Sequence, residues 1–533
     1  MLLALCAALL FWRLGLIPLD DFDEAYYAEG AREMLERGDF GTPYYNGQPF
    51  LLKPILIYWL NAAAFNLFGI TEFAARSVSA FFATAIVLLT YWFAARMLGR
   101  RAGLLAGLTL ALCYMWIDIG REAMIDMPLA AALVPAMFLF FLSSQSLISK
   151  RLTLLAYLLI GVALLAKGPV ATGVVLAGLL IYLVAARRLR ATLQNAQLLP
   201  GVFLLLAVAA PWYIYESLHQ PDFVQTFLIR EHFGHLQGEL ARDEPWYGHL
   251  KNLVIGFYPW VLLLPAAIAH AFRQGRDYVL RFATWWAAAV ILAFSFAGAK
   301  LPHYLVPAFP PMAILVGAWF DEFLGQEARL LRRDRPAIAG LIALAVIGLV
   351  LGAAFALAIV LPPAIASRLR DQFGAWTPGL APLVMLGALA LGSLGAVLAA
   401  FARRRKAVFP LLAGAMLIAG FAHVGWFKPR LAQIQAQPRK ELAKFASLAV
   451  PPSEPFGVFY AKRNATIFYA RRPIVDLGEW EVQKLVAFLA YPTPATALTH
   501  GKFLPDLEKA LPGNVYLWTR RGDFVLVSNH PLP

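Results

Sequence analysis

Four carboxylates, Asp20, Asp21, Asp23 and Glu24, crowd into five positions near the start of the chain, and Lys53 follows them directly before a proline. Further along, ionisable residues recur in short groups between apolar stretches: Arg121, Glu122 and Asp126, then Lys167, then Glu231, His232 and His235, then Lys300 and His303 with Tyr304 beside it. Charge beside a membrane is costly unless it is hydrated or paired, so groups of this kind at one face mark a candidate site. A carboxylate can take the proton of an attacking hydroxyl while lysine or arginine meets the negative charge growing on a phosphate leaving group. The sequence has no glycine-rich phosphate loop, dinucleotide fingerprint or Ser-His-Asp pattern. A donor already anchored in the membrane, such as a polyprenyl-phosphate sugar, requires none of them.

The elements that must hold these residues are membrane helices. The chain of 533 residues is 60% hydrophobic and 15% charged, with a mean hydropathy of +0.64, far from the balance of a soluble domain. A bilayer core of about 30 Å takes roughly 20 apolar residues per helix. Thirteen such stretches are predicted between Leu2 and Trp426, among them 2–18, 102–119, 152–166 and 407–426. The first lacks a basic start and a small-residue cleavage site, so it reads as an anchor rather than a signal peptide. Lysines and arginines collect in alternate loops, such as Arg96 to Arg101 and Arg403 to Lys406, which marks those loops as cytoplasmic. The candidate site residues and the tail after Trp426 are then expected on the periplasmic side of a bacterial inner membrane. The net charge of +14 is dispersed over many short loops, which fits anionic membrane lipids and excludes a nucleic-acid partner. Cys6 and Cys113 fall inside predicted spans and read as small packing residues.

Residues 1–426 are therefore predicted as a transmembrane domain with two long outer segments, 19–71 and 216–250. In the first, DEAYYAEGAREMLERG has the pattern of an amphipathic helix starting near Asp23 and closed by Gly38, expected to lie along the membrane surface. KPILIYWLNAAAFNLFG predicts a second, interfacial helix that starts at Lys53-Pro54. Residues 427–533, about 107 in all, interleave strand-like runs such as GVFYAKR and NVYLWTRRGDFVLVSN with helical RKELAKFASL, which predicts a separate periplasmic α/β domain. Tyr44, Tyr45, Phe50, Trp246, Tyr247, Tyr258 and Trp260 read as interfacial anchors, with stacking on a sugar as the alternative.

The segment DFDEAYYAEGAREMLERGDFGTPYYNGQPFLLKPILIYWL resembles the first periplasmic loop of the bacterial aminoarabinose transferases of lipid A and the related protein O-mannosyltransferase-like proteins. REAMIDMPLA, LLAKGPVA and AGAKLPHYLVPAFPPMA match the same family in later loops, so the resemblance covers about residues 1 to 320. It implies a polytopic α-helical GT-C fold and an inverting glycosyltransferase that moves a sugar from an undecaprenyl-phosphate type donor to lipid A or another acceptor. It also implies Asp23 as the leading catalytic carboxylate and Asp126 as a second acid, with Lys53, Lys167, Arg121 and Lys300 at the donor phosphate. Glu24, Tyr27, Glu231, His232, His303 and Tyr304 complete the candidate substrate contacts.

Structural alternatives stand beside these roles. Asp23 can serve as a helix N-cap. Asp126 can mark a helix boundary near Pro128 and pair with Arg121. Lys167 and Lys300 can snorkel from span ends, and Tyr304 can be a membrane-interface aromatic. The chain also departs from the family pattern: aminoarabinose transferases carry Phe-Glu-Lys-Pro where this sequence has Leu51-Leu52-Lys53-Pro54. No cofactor is expected to be required, and the candidate set for a divalent ion is His232 and His235 near Glu231 and Glu239. The missing glutamate leaves room for a glycan or a protein Ser/Thr hydroxyl as acceptor. A multispan transporter is the reading from another class, but its two related halves with broken helices are not evident in the sequence.

Overall fold

The structure, a computed structural model, describes residues 1–20, 23–234, 245, 247–273, 278–296, 300–325, 335–360 and 380–532, apart from the side chains of 228, 232–234 and 355–360. The N-terminal apolar run makes a short helix, α1 (Leu2–Cys6), continued by a π-turn over Ala7–Phe11. The first outer segment folds into α2 (Asp23–Arg37) and α3 (Leu56–Phe68), with a two-stranded ribbon between them, β1 (Tyr44–Tyr45) and β2 (Gln48–Pro49). As the sequence predicts, α2 begins at Asp23 and ends at Gly38, whose φ of +69° suits glycine and turns the chain out of the helix. At 13 residues α3 is too short to cross a bilayer, in keeping with an interfacial helix. The spanning bundle follows with α4 (Glu72–Leu98), α5 (Arg100–Ala111), α6 (Tyr114–Ile119), α7 (Asp126–Ser144) and α8 (Lys150–Lys167). It continues through helices at Pro169–Ala185, Leu198–His219, Tyr278–Ser295, Phe309–Gly325, Arg335–Val360, Leu380–Phe401 and Val408–Ala422.

Among the described residues eight helices are long and apolar enough to cross a membrane, or ten if two sharply bent pairs each count as one span. That count takes in long unbroken helices only, and the thirteen stretches predicted from hydropathy fall partly in helices that are shorter, bent or more charged. The stretch 2–18 stops being helical at Phe11, and 102–119 breaks around Cys113 into α5 and α6. The stretch 152–166 lies in α8, whose 18 residues include Lys150, Arg151 and Lys167.

Two features of these segments bear on how the site is held. Ten residues of α2, including Glu24, Tyr27, Glu29 and Arg32, are buried within the protein. The helix packs against α3 on one side and the helix Arg463–Ala470 of the C-terminal region on another. The domain boundary expected at 427 falls inside one continuous helical run, Arg405–Gln435. Beyond that run the predicted α/β unit is present as a five-stranded sheet in the order β4-β3-β5-β7-β6, with β3 (Phe456–Val458), β4 (Val475–Asp476), β5 (Thr496–His500), β6 (Tyr516–Arg521) and β7 (Phe524–Ser528). Strands β3, β4 and β5 run parallel, and β7 pairs antiparallel with both β5 and β6. Alternate residues serve two cores: Ala497, Val525 and Val527 join the unit's own core, whereas Leu498 and Leu526 join the large core that runs into the membrane bundle.

The unit is docked against the first long loop segment. Asn46 exchanges two hydrogen bonds with the backbone of Ile474 (2.8 and 3.1 Å), and Tyr45 donates to Asn464 at 2.6 Å. The Tyr469 hydroxyl accepts from the Leu19 amide at 2.8 Å and donates to Glu72 at 2.9 Å, where Lys440 also pairs.

Beneath this contact lies a buried ion pair. Glu24 accepts from Arg76 Nε and Nη2 at 2.8 and 2.7 Å and from the amides of Asp20 and Ala123, both at 2.8 Å. Arg76 donates onward to the carbonyls of Leu14, Ile17 and Pro18. Burial by itself would raise the Glu24 carboxyl, but the Arg76 charge and these hydrogen bonds outweigh it and hold the group below the usual glutamate range. Removing one partner of such a pair leaves an uncompensated buried charge. Glu24→Ala is accordingly expected to lower stability by about 3–5 kcal/mol, read as a lower thermal unfolding midpoint of the purified protein, with earlier proteolysis of the α1–α2 connection.

Candidate active site

Three outer connections and the start of α7 bring most of the predicted residues together. Asp126 is the first residue of α7 and is only 1% exposed. Its Oδ1 accepts from Lys167 Nζ at 2.6 Å, and its Oδ2 lies 4.0 Å from His303 Nε2. Lys167 closes α8 just before Gly168, whose φ of +86° lets Pro169 start the next helix. A carboxylate at a helix start and an ammonium at a helix end each suit the local helix dipole. The Lys167 ammonium also lies 4.7 Å from the centre of the Tyr304 ring, a cation–π contact. His303 and Tyr304 are carried by the 3₁₀ turn Pro302–Ala308, which leads into Phe309–Gly325.

From the other side, Lys53 forms an ion pair with Glu231, which sits on a π-helical segment, Val224–Gly234. Asp23 completes the group. Its charge, with those of Asp126, Lys167 and Lys53, bears on His303, and with those of Asp126 and Glu231 it bears on Tyr304 and Tyr27. Burial, reinforced by these carboxylates and by Tyr58, holds the Tyr27 phenol neutral, well above the usual tyrosine range. Tyr58 comes this close to α2 because of Gly30, where a β-carbon would sit 2.5 Å from the Tyr58 ring. Among the described residues, two of the three carboxylates are paired, Asp126 with Lys167 and Glu231 with Lys53, while Asp23 has neither an ion pair nor a hydrogen-bond partner on its side chain.

Other predicted residues fall elsewhere. Glu24 forms a buried ion pair with Arg76. Arg121 does not pair with Asp126 and is not brought to the two lysines; it donates instead to the carbonyls of Leu9, Leu10 and Trp12. Lys300 is buried, and its carbonyl accepts from Asn252 at 2.8 Å. The His232 side chain and the whole of His235 lie outside the described residues, as does Glu239. Among the described residues no three His, Cys, Asp or Glu side chains are grouped to hold a metal ion. Trp260, read as an interfacial anchor, is fully buried and stacks on Phe409 at 5.6 Å.

Sequence reasoning missed three participants. Tyr58 and His249, the latter buried beside Tyr304, carry no signal in a single sequence because their neighbours come from distant segments. Arg76 could have been found, since an arginine in the first turns of an apolar span demands a partner.

The chain is similar to several known proteins. Residues 1–227 match the family model for dolichyl-phosphate-mannose-protein mannosyltransferase. The undecaprenyl phosphate-alpha-4-amino-4-deoxy-L-arabinose arabinosyl transferase of Edwardsiella ictaluri is 32% identical over 380 residues, 69% of this chain and 66% of its own length. Its counterpart in Erwinia tasmaniensis is 33% identical over 374 residues, 67% of this chain and 65% of its own. The match thus spans just under two thirds of those relatives. In fold, the chain resembles ArnT from Cupriavidus metallidurans bound to undecaprenyl phosphate, with a TM-score of 0.79 at 24% identity, covering 99% of this chain and 97% of that one. The apo state of the same protein gives 0.75 at 25% identity with the same coverage. Helical architecture, outer-loop motifs and relatives agree, and the chain belongs to the GT-C membrane transferase family that includes the aminoarabinose transferases and the protein mannosyltransferase-like proteins.

Proposed function

We propose that the chain is an inverting glycosyltransferase that moves a sugar from a polyprenyl-phosphate donor, of the undecaprenyl type, to lipid A or a similar envelope acceptor on the periplasmic face of the inner membrane. The observation that carries this reading is the uncommitted carboxylate of Asp23 between two lysine–carboxylate pairs at one end of a membrane bundle. The arabinosyl transferase relatives, named for an undecaprenyl-phosphate sugar, support the donor class.

In this mechanism the acceptor oxygen attacks the anomeric carbon from the face opposite the carrier. The bond between that carbon and the phosphate oxygen breaks, and the electron pair leaves with the polyprenyl phosphate. Lys53 and Lys167 meet the charge that develops on the leaving group, which is worth most in a site shielded from water. Asp126 serves as a positioning residue that holds Lys167, and Tyr304 supports the same ammonium from its ring face. Asp23 takes the proton of a hydroxyl acceptor, or orients an acceptor that is already an anion such as a lipid A phosphate. With Leu52 at the position where the family pattern has glutamate, the two lysines balance the phosphate charge without a resident divalent ion. The basic alternate loops support a periplasmic site.

Three outcomes test this. Asp23→Asn in the purified full-length protein should reduce transfer of labelled sugar from undecaprenyl phosphate to lipid A by about 10²–10⁴-fold while leaving the unfolding midpoint in place; near-normal turnover removes Asp23 from the mechanism. Label passing to protein rather than to lipid would instead favour a Ser/Thr hydroxyl acceptor, which the mannosyltransferase family match also allows. EDTA should leave the transfer rate unchanged, and a rate restored only by an added divalent ion refutes the metal-free reading. Because Cys6 and Cys113 are buried, Trp480→Cys, placed at a side chain 88% exposed on the C-terminal unit, should react with an impermeant maleimide added outside intact spheroplasts. Labelling only after lysis reverses the orientation.

A further inference from the structure

The end of the first helix, the loop carrying Arg121 and the helix Lys428–Gln435 enclose a cavity of about 210 Å³. Five basic residues line it: Arg13, Arg76, Arg121, Lys428 and Arg439. Two of them have carboxylate partners, since Arg76 pairs with Glu24, and Lys428 pairs with Asp118 and Glu122 at 2.5 and 2.7 Å. Arg13 and Arg121 have none among the described residues. Arg13 donates one hydrogen bond, to the Gly425 carbonyl, and Arg121 donates three, all to carbonyls. A guanidinium carries five N–H donors, so both retain hydrogen-bonding capacity. Burial and the neighbouring Arg76 charge both work against the positive charge on Arg121, which an anion in the cavity would relieve. Arg13 is also held at φ +56°, a conformation that side chains rarely adopt.

The cavity does not end at charge. A second one, of about 440 Å³, shares Arg13, Pro429 and Leu431 with it. A third, also about 440 Å³, shares Pro382 and Phe427 with the second and is lined almost wholly by apolar side chains such as Tyr258, Leu351, Met385 and Met416. The path thus runs from unpaired arginines beside the outer loops to an apolar cleft between membrane helices, the two ends that an anionic lipid needs.

We propose that this path is a second lipid site, separate from the donor site, which holds a phosphate-bearing membrane lipid with its phosphate against Arg13 and Arg121 and its chain in the apolar cleft. The inference does not rest on the reaction proposed above.

The test is thermal unfolding of the full-length protein in detergent, titrated with dioleoyl phosphatidic acid, dioleoyl phosphatidylcholine or inorganic phosphate. Phosphatidic acid should raise the midpoint saturably in wild type, and the other two should not. Arg13→Gln, which removes one exposed guanidinium and leaves the Arg121 contacts to carbonyls in place, should weaken the apparent affinity by about tenfold, as expected for the loss of a charge-assisted contact. Lys53→Gln should titrate like wild type. The site is overturned by an absent shift, by Arg13→Gln titrating like wild type, or by phosphatidylcholine matching phosphatidic acid. Loss of the shift in Lys53→Gln would place the lipid in the donor site, overturning this inference while leaving the transferase reading intact. An equal response to inorganic phosphate would overturn the lipid assignment.

Discussion

The ion pair between Glu24 and Arg76 is the constraint on which the outer face of the molecule depends. Arg76 rises from the start of α4 and gathers the carbonyls of Leu14, Ile17 and Pro18, while Glu24 takes the amides of Asp20 and Ala123. One pair thus joins the exit of the first helix, the start of α2, the first long span and the loop before α7. Burying two charges is expensive, and a pair of this kind persists where further hydrogen bonds satisfy both ions, as they do here. Because successive residues of a helix point about 100° apart, fixing Glu24 inward turns the neighbouring Asp23 toward a different face. Asp23 therefore comes to the lysines by the anchoring of its neighbour rather than by a contact of its own.

The site is built from helix ends. Asp126 opens α7 and Lys167 closes α8, so a single hydrogen bond ties two consecutive spans together at the outer face and fixes the direction of the ammonium. Lys53 and Glu231 make the matching link between the two long outer segments. Such pairing holds both ammonium groups in place at one end of the bundle. The C-terminal sheet contributes no side chain to this group in the contacts described above. The C-terminal unit instead fixes the chain before α2, where Tyr469 bonds to Leu19 and Glu72, and the β1–β2 ribbon, where Asn464 and Ile474 bond to Tyr45 and Asn46. The central strands of the sheet are buried, with Ala497, Val525 and Val527 in the unit's own core and Leu498 and Leu526 against the bundle.

Much of this was legible in the residues themselves. Apolar composition and repeated long apolar runs required a helical bundle in a membrane, and the Asp23–Gly38 helix followed from its apolar spacing and its closing glycine. The candidate residues could be collected because ionisable groups stand out against an apolar background. Pairings were not legible. Asp126 takes its ammonium from Lys167, 41 positions away, and not from the nearby Arg121, which turns to carbonyls of the first helix.

What the sequence determined by itself was the solvent each segment occupies and the chemical types offered at the outer face, because both depend on side-chain composition and local periodicity. The tertiary structure decided which of those charges neutralise one another. Glu24 and Asp23 are neighbours of like charge, and only the arrival of Arg76, 52 residues on, makes one a buried anchor and leaves the other uncommitted. That choice lies in the packing of distant segments, where a hydrogen bond to a buried charge outweighs any local preference, so it could not be read before the chain was folded.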